Sequence, residues 1–372
     1  MGQTRRDFSA AVARLRLSLL ACALCGLLAG CGGSGSSSGS IADAAGGALE
    51  VPCAQHSDPA MLTMNDDGIG LTSALGLAPG RYALPADAAP KQLVVMFHGH
   101  LNDSCDWRRH LQQVAAHGAI AVAMDYSGQK QVPVENYGWR VREGAADSIA
   151  AAKFFLARYP SLTQVFAFGI SMGGNSSGLA VASADAVRAD GKPLFDYWVD
   201  IEGVNNLAEE YLVARGVALA GNAGGALAQQ EIEEENGGSL EQVPDKYAEI
   251  SNVTRAPDMS GLKGAVIVNA VDDGLVPTNQ SPEMAVALNL VGVPAHLFTV
   301  LGNGGAETGT TFTAIVGDPV AGAAGQTYTS PFAGHGWEGS DTQLVIVTGF
   351  EQLYALMAGG TVTPGETPVP GL

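Results

Sequence analysis

Short apolar runs that stop at polar or glycine-rich turns recur along the chain from residue 93 onward. Leu93-Val94-Val95-Met96-Phe97 ends at His98-Gly99, and residues 119–124 end at Asp125-Tyr126. Each has the length and continuity of a strand buried on both faces. Residues 106–117, between them, read as a helix. A stronger helix is predicted over residues 142–159, where Ala145, Ile149, Ala152, Leu156 and Tyr159 recur at helical spacing and Pro160 stops the run. Further strands are expected at 164–168, 197–201, 265–271 and 295–300, with helices from about Gly173 and over 343–357. This alternation predicts the α/β class: a mostly parallel central sheet flanked by helices.

Two stretches break the rhythm. Residues 204–262 are rich in alanine and acid, with Glu231, Glu233, Glu234 and Glu235 close together, and are expected to form a small helical insertion. Residues 302–333 are rich in Gly, Thr and Ala and too long for an ordinary connection, so they are read as a loop insertion. The tail over 359–372, with Pro364, Pro368 and Pro370, is expected to be disordered. The domain carrying the chemistry is placed at 51–358.

Composition narrows the function. The 372 residues carry 37 acidic against 19 basic side chains, a net charge of −18, and 47% of them are hydrophobic. A nucleic-acid partner is not expected, because neutralising phosphates requires clustered Lys and Arg. Residues 1–30 differ from the rest, with Arg5, Arg6, Arg14 and Arg16 before an apolar run too short to favour a membrane span. Leu28-Ala29-Gly30-Cys31 resembles the lipobox of bacterial lipoproteins, which implies lipidation at Cys31. Thr4-Arg5-Arg6-Asp7-Phe8 is similar to a twin-arginine export signal, and an ordinary secretory signal is the alternative. Residues 31–50 then form a Gly/Ser-rich tether. The expected location is the cell envelope, at the outer membrane of a Gram-negative cell because Gly32 follows Cys31, or outside the cell. Once the signal is removed, Cys53 and Cys105 are the cysteines left beside the lipid site. They suit a disulfide worth about 4 kcal/mol in the chain-entropy model; two unpaired buried thiols are the alternative.

The candidate chemistry lies at strand ends. The strand ending at Phe168 runs into Gly169-Ile170-Ser171-Met172-Gly173, and this G-x-S-x-G resembles the nucleophile elbow of the α/β-hydrolase superfamily. The resemblance implies Ser171 as nucleophile, followed along the chain by an acid and then a histidine. His335, in Gly334-His335-Gly336-Trp337 before the last helix, stands where the superfamily places its base. His296 falls inside a predicted strand and reads as structural. Asp272-Asp273-Gly274-Leu275-Val276-Pro277 resembles the D-x-x-V-P of many esterases and peptidases, matching Asp273 as the acid with Asp272 as rival. His98-Gly99-His100 is similar to the turn that donates to an oxyanion, implying the backbone amides of His100 and Met172 as its two donors.

Tyr126, Glu202, Asn205, Asn206 and Trp337 are candidate pocket residues, while Asp147 reads as structural. His98-x-His100 lacks the companions of a hydrolytic zinc motif, so neither a metal nor a cofactor is expected. Within the superfamily the chain is most similar to the esterase and prolyl-oligopeptidase-like branch, on D-x-x-V-P and on Tyr247-Ala248-Glu249-Ile250-Ser251-Asn252. Asn252 departs from that branch's usual proline. The resemblance implies a serine hydrolase acting on small or polymeric carboxylic esters. A peptidase or amidase, and a non-catalytic surface binding module, are the other readings.

Overall fold

The computed structural model describes residues 66–73, 76–127, 138–303, 311–314, 326–329 and 334–372. Cys31, Cys53, the signal, the tether and most of the 302–333 stretch lie outside the described residues.

Nine strands form one sheet. In chain order they are β1 (Asp66–Ser73), β2 (Gly76–Ala83), β3 (Gln92–Phe97), β4 (Ile120–Met124), β5 (Gln164–Ile170), β6 (Tyr197–Ile201), β7 (Gly264–Ala270), β8 (Ala295–Val300) and an edge strand at Gly365–Val369. In space the order is β1-β2-β4-β3-β5-β6-β7-β8-edge strand, and every pair from β4 to the edge strand is parallel. The β1–β2 ribbon joins β4 antiparallel. A separate antiparallel pair, β9 (Thr311–Ala314) and β10 (Gln326–Thr329), lies within the 302–333 stretch, so the edge strand is β11.

The inner strands read as unbroken apolar runs because helices cover both faces. All residues of β4, β6 and β7 are buried. On one face pack α1 (Arg108–Ala116) and a C-terminal helix, Leu344–Met357; on the other pack α2 (Val141–Arg158), α3 (Met172–Ala182) and a helix at Gln280–Leu290. Helix α2 buries Ala145, Ile149, Ala152 and Phe155, and Phe155 takes the core place that the spacing gave to Leu156. Four helices lie between β6 and β7: α4 (Leu207–Leu219), α5 (Ala223–Asn236), α6 (Pro244–Glu249) and α7 (Asn252–Arg255). Asn206 and Asn222 cap α4 and α5 by accepting from the amides of Glu209 and Gly225, and Gly237 ends α5 in the left-handed region. The helices after β7 are α8 (Gln280–Leu290) and α9 (Leu344–Met357). A third apolar cluster joins α4–α6 to Tyr126, Trp139 and Met172, seating the helical insertion over the sheet's C-terminal edge.

The tail expected to be disordered is instead strand β11. It pairs along β8 with Gly365 opposite His296, and its backbone continues to Leu372, whose amide donates to Gly302. Prolines are tolerated there because an edge strand has one side free of ladder bonds. His296 is part of this attachment, with Nδ1 2.8 Å from Thr363 O and Nε2 2.9 Å from Thr367 Oγ1. Cys105 Sγ accepts from Arg81 Nε at 3.3 Å, and its expected partner Cys53 lies outside the described residues.

Candidate active site

Strand order reverses between β3 and β5, opening a crevice beyond their C-terminal ends where α/β proteins place ligands. Ser171 follows β5 at φ 56° and ψ −127°, a conformation costing about 1–3 kcal/mol in a non-glycine residue. The surroundings hold it there: Ser171 N donates to Ile201 O at 3.0 Å, and its carbonyl accepts from Gly174 N and Val204 N. The flanking glycines are required by close approach. A Cβ on Gly169 would collide with the Gly173 carbonyl, and one on Gly173 with the carbonyls of Phe97 and His98. Met172 opens α3, so its amide is among the first-turn donors that no intrahelical carbonyl can accept.

Asp273 follows β7, and both its carboxylate oxygens lie 3.0 Å from His335 Nδ1. Asp272 faces away, with both oxygens 3.2 Å from Asn303 N. Asn303 also donates to Gly334 O and accepts from Val345 N, so it fixes the histidine loop to the start of α9. Gln343 bonds both His335 O and Trp337 N. Burial opposes charge on the His335 imidazole, but Asp273, Glu202 and Glu338 outweigh it and raise the pKa to about 9.

The turn after β3 is equally constrained. Leu101 has φ 65°. Glu338 Oε1 accepts from Gly99 N and Oε2 from Asn102 Nδ2 at 2.6 Å, tying this turn to the histidine loop. A Cβ on Gly99 would stand 3.4 Å from Ser171 Cβ, so the turn and the serine are neighbours. His98 is buried and stacked on Tyr126 with ring centroids 3.9 Å apart, and burial pulls its pKa down to about 4. His100 Nε2 meets Glu231 Oε2 from α5, and Glu231 Oε1 accepts from Gly138 N at 3.0 Å. The helical insertion thus grips the side chain of a residue expected to supply an oxyanion donor.

The expected pocket residues fare differently. Tyr126 is fully buried and donates to His98 O. Asn205 is fully buried, donating to Asp200 Oδ2 at 2.7 Å and accepting from Asn252. Both spend these polar groups on the protein rather than on a pocket. Glu202 stands behind His335, with Oε2 3.5 Å from Nδ1, and Trp337 is half-buried beside that histidine. Asp125 and Asp147 accept from the amides of Ser104 and Ser127, roles in loop structure. The sequence reading missed Glu231 and Glu338: neither belongs to a motif, and their partners lie more than 90 positions away in the chain. Among the described residues, the His, Asp and Glu atoms close enough to share a metal are those of Glu202, Asp273 and His335. Asp273 bonds the His335 ring, and Glu202 accepts from the backbone amides of Ala270 and Gly336.

Residues 88–191 match the family model "Serine aminopeptidase, S33". No curated protein matches the chain. Among solved structures, a puromycin-hydrolyzing peptidase of Mycobacterium tuberculosis is 17% identical at a TM-score of 0.52, over 86% of this chain and 42% of that one. Acylaminoacyl peptidase from Pyrococcus horikoshii is 17% identical at 0.49, over 63% of this chain and 36% of its own. A carboxyl esterase from Bacillus coagulans is 15% identical at 0.45, over 63% and 90%. The chain therefore spans little more than a third of the length of the acylaminoacyl peptidases. It has the α/β-hydrolase fold.

Proposed function

We propose that the protein cleaves carboxylic esters through an acyl-enzyme on Ser171. The observations that carry this reading are the His335–Asp273 pair and a serine held at positive φ on a strand-to-helix turn, next to the Gly99 turn that Glu338 ties to the histidine loop. His335 Nε2 takes the Ser171 proton as Oγ bonds to the ester carbonyl carbon. The carbonyl oxygen becomes an oxyanion, received by the amides of His100 and Met172. Imidazolium then passes the proton to the leaving alkoxide, and the ester C–O bond breaks. Water repeats the sequence on the acyl-enzyme, releasing the acid and restoring Ser171. Asp273 holds the tautomer with its proton on Nδ1 throughout.

Export, lipidation at Cys31 and the Cys53–Cys105 disulfide belong to the same proposal. The lipobox-like segment supports the anchor, and the oxidising compartment that export implies supports the pairing. A Cys31→Ser variant should stay in the aqueous phase of a detergent partition, and a non-reducing peptide map should recover Cys53 joined to Cys105.

The main test is a chain-length series of p-nitrophenyl esters with wild type beside Ser171→Ala. Loss of about 10⁴-fold or more in the variant is expected; equal rates would remove Ser171 from the chemistry. Resistance of the folded wild type to a fluorophosphonate would favour a binding module.

One observation favours a peptidase as the second reading. Glu210 on α4 is buried, its Oε2 has no hydrogen-bond partner among the described residues, and burial together with the charge of Asp273 raises its pKa to about 8. A substrate ammonium group would give it the partner it lacks. Glu210→Gln should then raise KM for amino-bearing substrates and leave neutral esters unchanged, as matched ester and amide kinetics would show.

A further inference from the structure

We infer that Glu202 is a second carboxylate partner of His335, a positioning residue able to hold the imidazolium when Asp273 cannot. The inference rests on the serine-hydrolase reading only for its kinetic consequence; the geometry stands by itself. Glu202 directly follows β6, with β5 and β7 on either side, so its side chain starts between the strand that carries Ser171 and the strand that carries Asp273. Its φ is 48°, one of three positive values at non-glycine residues among the described residues, and another of the three is Ser171.

The strained backbone is locked by Glu202 N donating to Val268 O at 2.7 Å. That conformation sends the fully buried carboxylate toward the histidine loop. Oε1 accepts from Ala270 N at 3.2 Å, three residues before Asp273. Oε2 accepts from Gly336 N at 2.5 Å and stands 3.5 Å from His335 Nδ1. Glu202 therefore joins the end of the acid's strand, the residue after the histidine and the imidazole itself. A side chain serving only as a backbone brace would have no reason to bring an oxygen to Nδ1 as well.

The charged groups facing this imidazole come from four elements. They are Asp273 after β7, Glu202 after β6, Glu338 in the histidine's own loop and Glu210 on α4. Glu202 and Asp273 are the two with an oxygen within 4 Å of Nδ1. With Asp273 neutralised, Glu202 is the carboxylate left next to it. Burial keeps Glu202 well above the ordinary carboxylate range while Asp273 is charged; removal of that charge favours its ionised form.

The test follows the His335 ring by NMR titration of histidine-labelled protein in wild type, Asp273→Asn, Glu202→Gln and the double variant. His335→Gln assigns the signal. In Asp273→Asn the midpoint should stay at or above the ordinary histidine value, and adding Glu202→Gln should lower it by about one unit or more. A midpoint in Asp273→Asn already below the ordinary value, or unmoved by the second substitution, overturns the inference. Should the double variant not fold, the Asp273→Asn midpoint decides alone.

Fluorophosphonate labelling supplies the kinetic arm. Glu202→Gln should slow labelling by a larger factor in the Asp273→Asn background than in wild type; equal factors in both backgrounds would leave Glu202 a mere brace. A folded wild type that resists the probe would sink the serine-hydrolase reading while the NMR midpoints still decide the placement of Glu202.

Discussion

At the scale of single residues, the candidate site holds a histidine whose pKa is raised above its ordinary range. His335 gains a proton more readily than a free histidine because Asp273, Glu202 and Glu338 surround a ring that burial alone would keep neutral. Attack on an ester needs the neutral ring. kcat/KM should therefore climb with pH through a limb near 9 rather than near 6.5, as a pH–rate profile on a soluble ester would show. A limb at or below the ordinary histidine value would mean that the carboxylates do not act on the ring. Ser171, Asp273 and His335 were singled out in the sequence because each lies in a short motif whose glycines or valine-proline step mark a particular turn, and the fold brings Asp273 onto His335. Glu202 was noticed for its place after a strand and given to the substrate, since nothing in a linear sequence tells which way a buried carboxylate points. Glu231 and Glu338 act across the fold and carry no local mark at all.

The elements tell a similar story. Buried parallel strands were plain, since burial on both faces leaves an apolar run that polar residues interrupt only at the ends. The β1–β2 ribbon was not, because Asp66–Ser73 and Gly76–Ala83 contain four glycines and no such run. Helix α8 escaped because the face it buries includes Gln280 and Ser281. Strand β11 was masked by prolines that are acceptable only at an edge. That edge role yields a prediction: removing residues 360–372 bares the ladder of β8, together with His296 and Thr299, which β11 now engages. The truncated protein should unfold at lower temperature and aggregate faster than the full chain, measured by calorimetry and light scattering. Unchanged behaviour would show that β11 adds nothing to the sheet.

For the whole molecule, acidity and burial push stability in one direction. Burial raises Asp125, Asp200 and Glu235 to about 7 and Glu210 to about 8. A carboxyl with a raised native pKa binds its proton better folded than unfolded. Its contribution is lost as pH climbs from the unfolded carboxylate value through the native one. His335 has the same sign: its contribution is complete below the unfolded value of 6.5 and is lost as pH rises through about 9. The net charge of −18 adds self-repulsion as these acids ionise. The melting temperature should thus fall from pH 6 to pH 9, by about 2–4 °C for each kcal/mol lost. A flat or rising profile over that range would contradict the burial of these groups.

The grip of Glu231 on His100 has a practical side for anyone wishing to re-engineer the protein. Helix α5 is more than a replaceable roof, because one of its carboxylates steadies the turn expected to receive the oxyanion. An exchanged cap would have to bring its own anchor for His100, or the transplanted enzyme would bind its new substrate above a slackened floor.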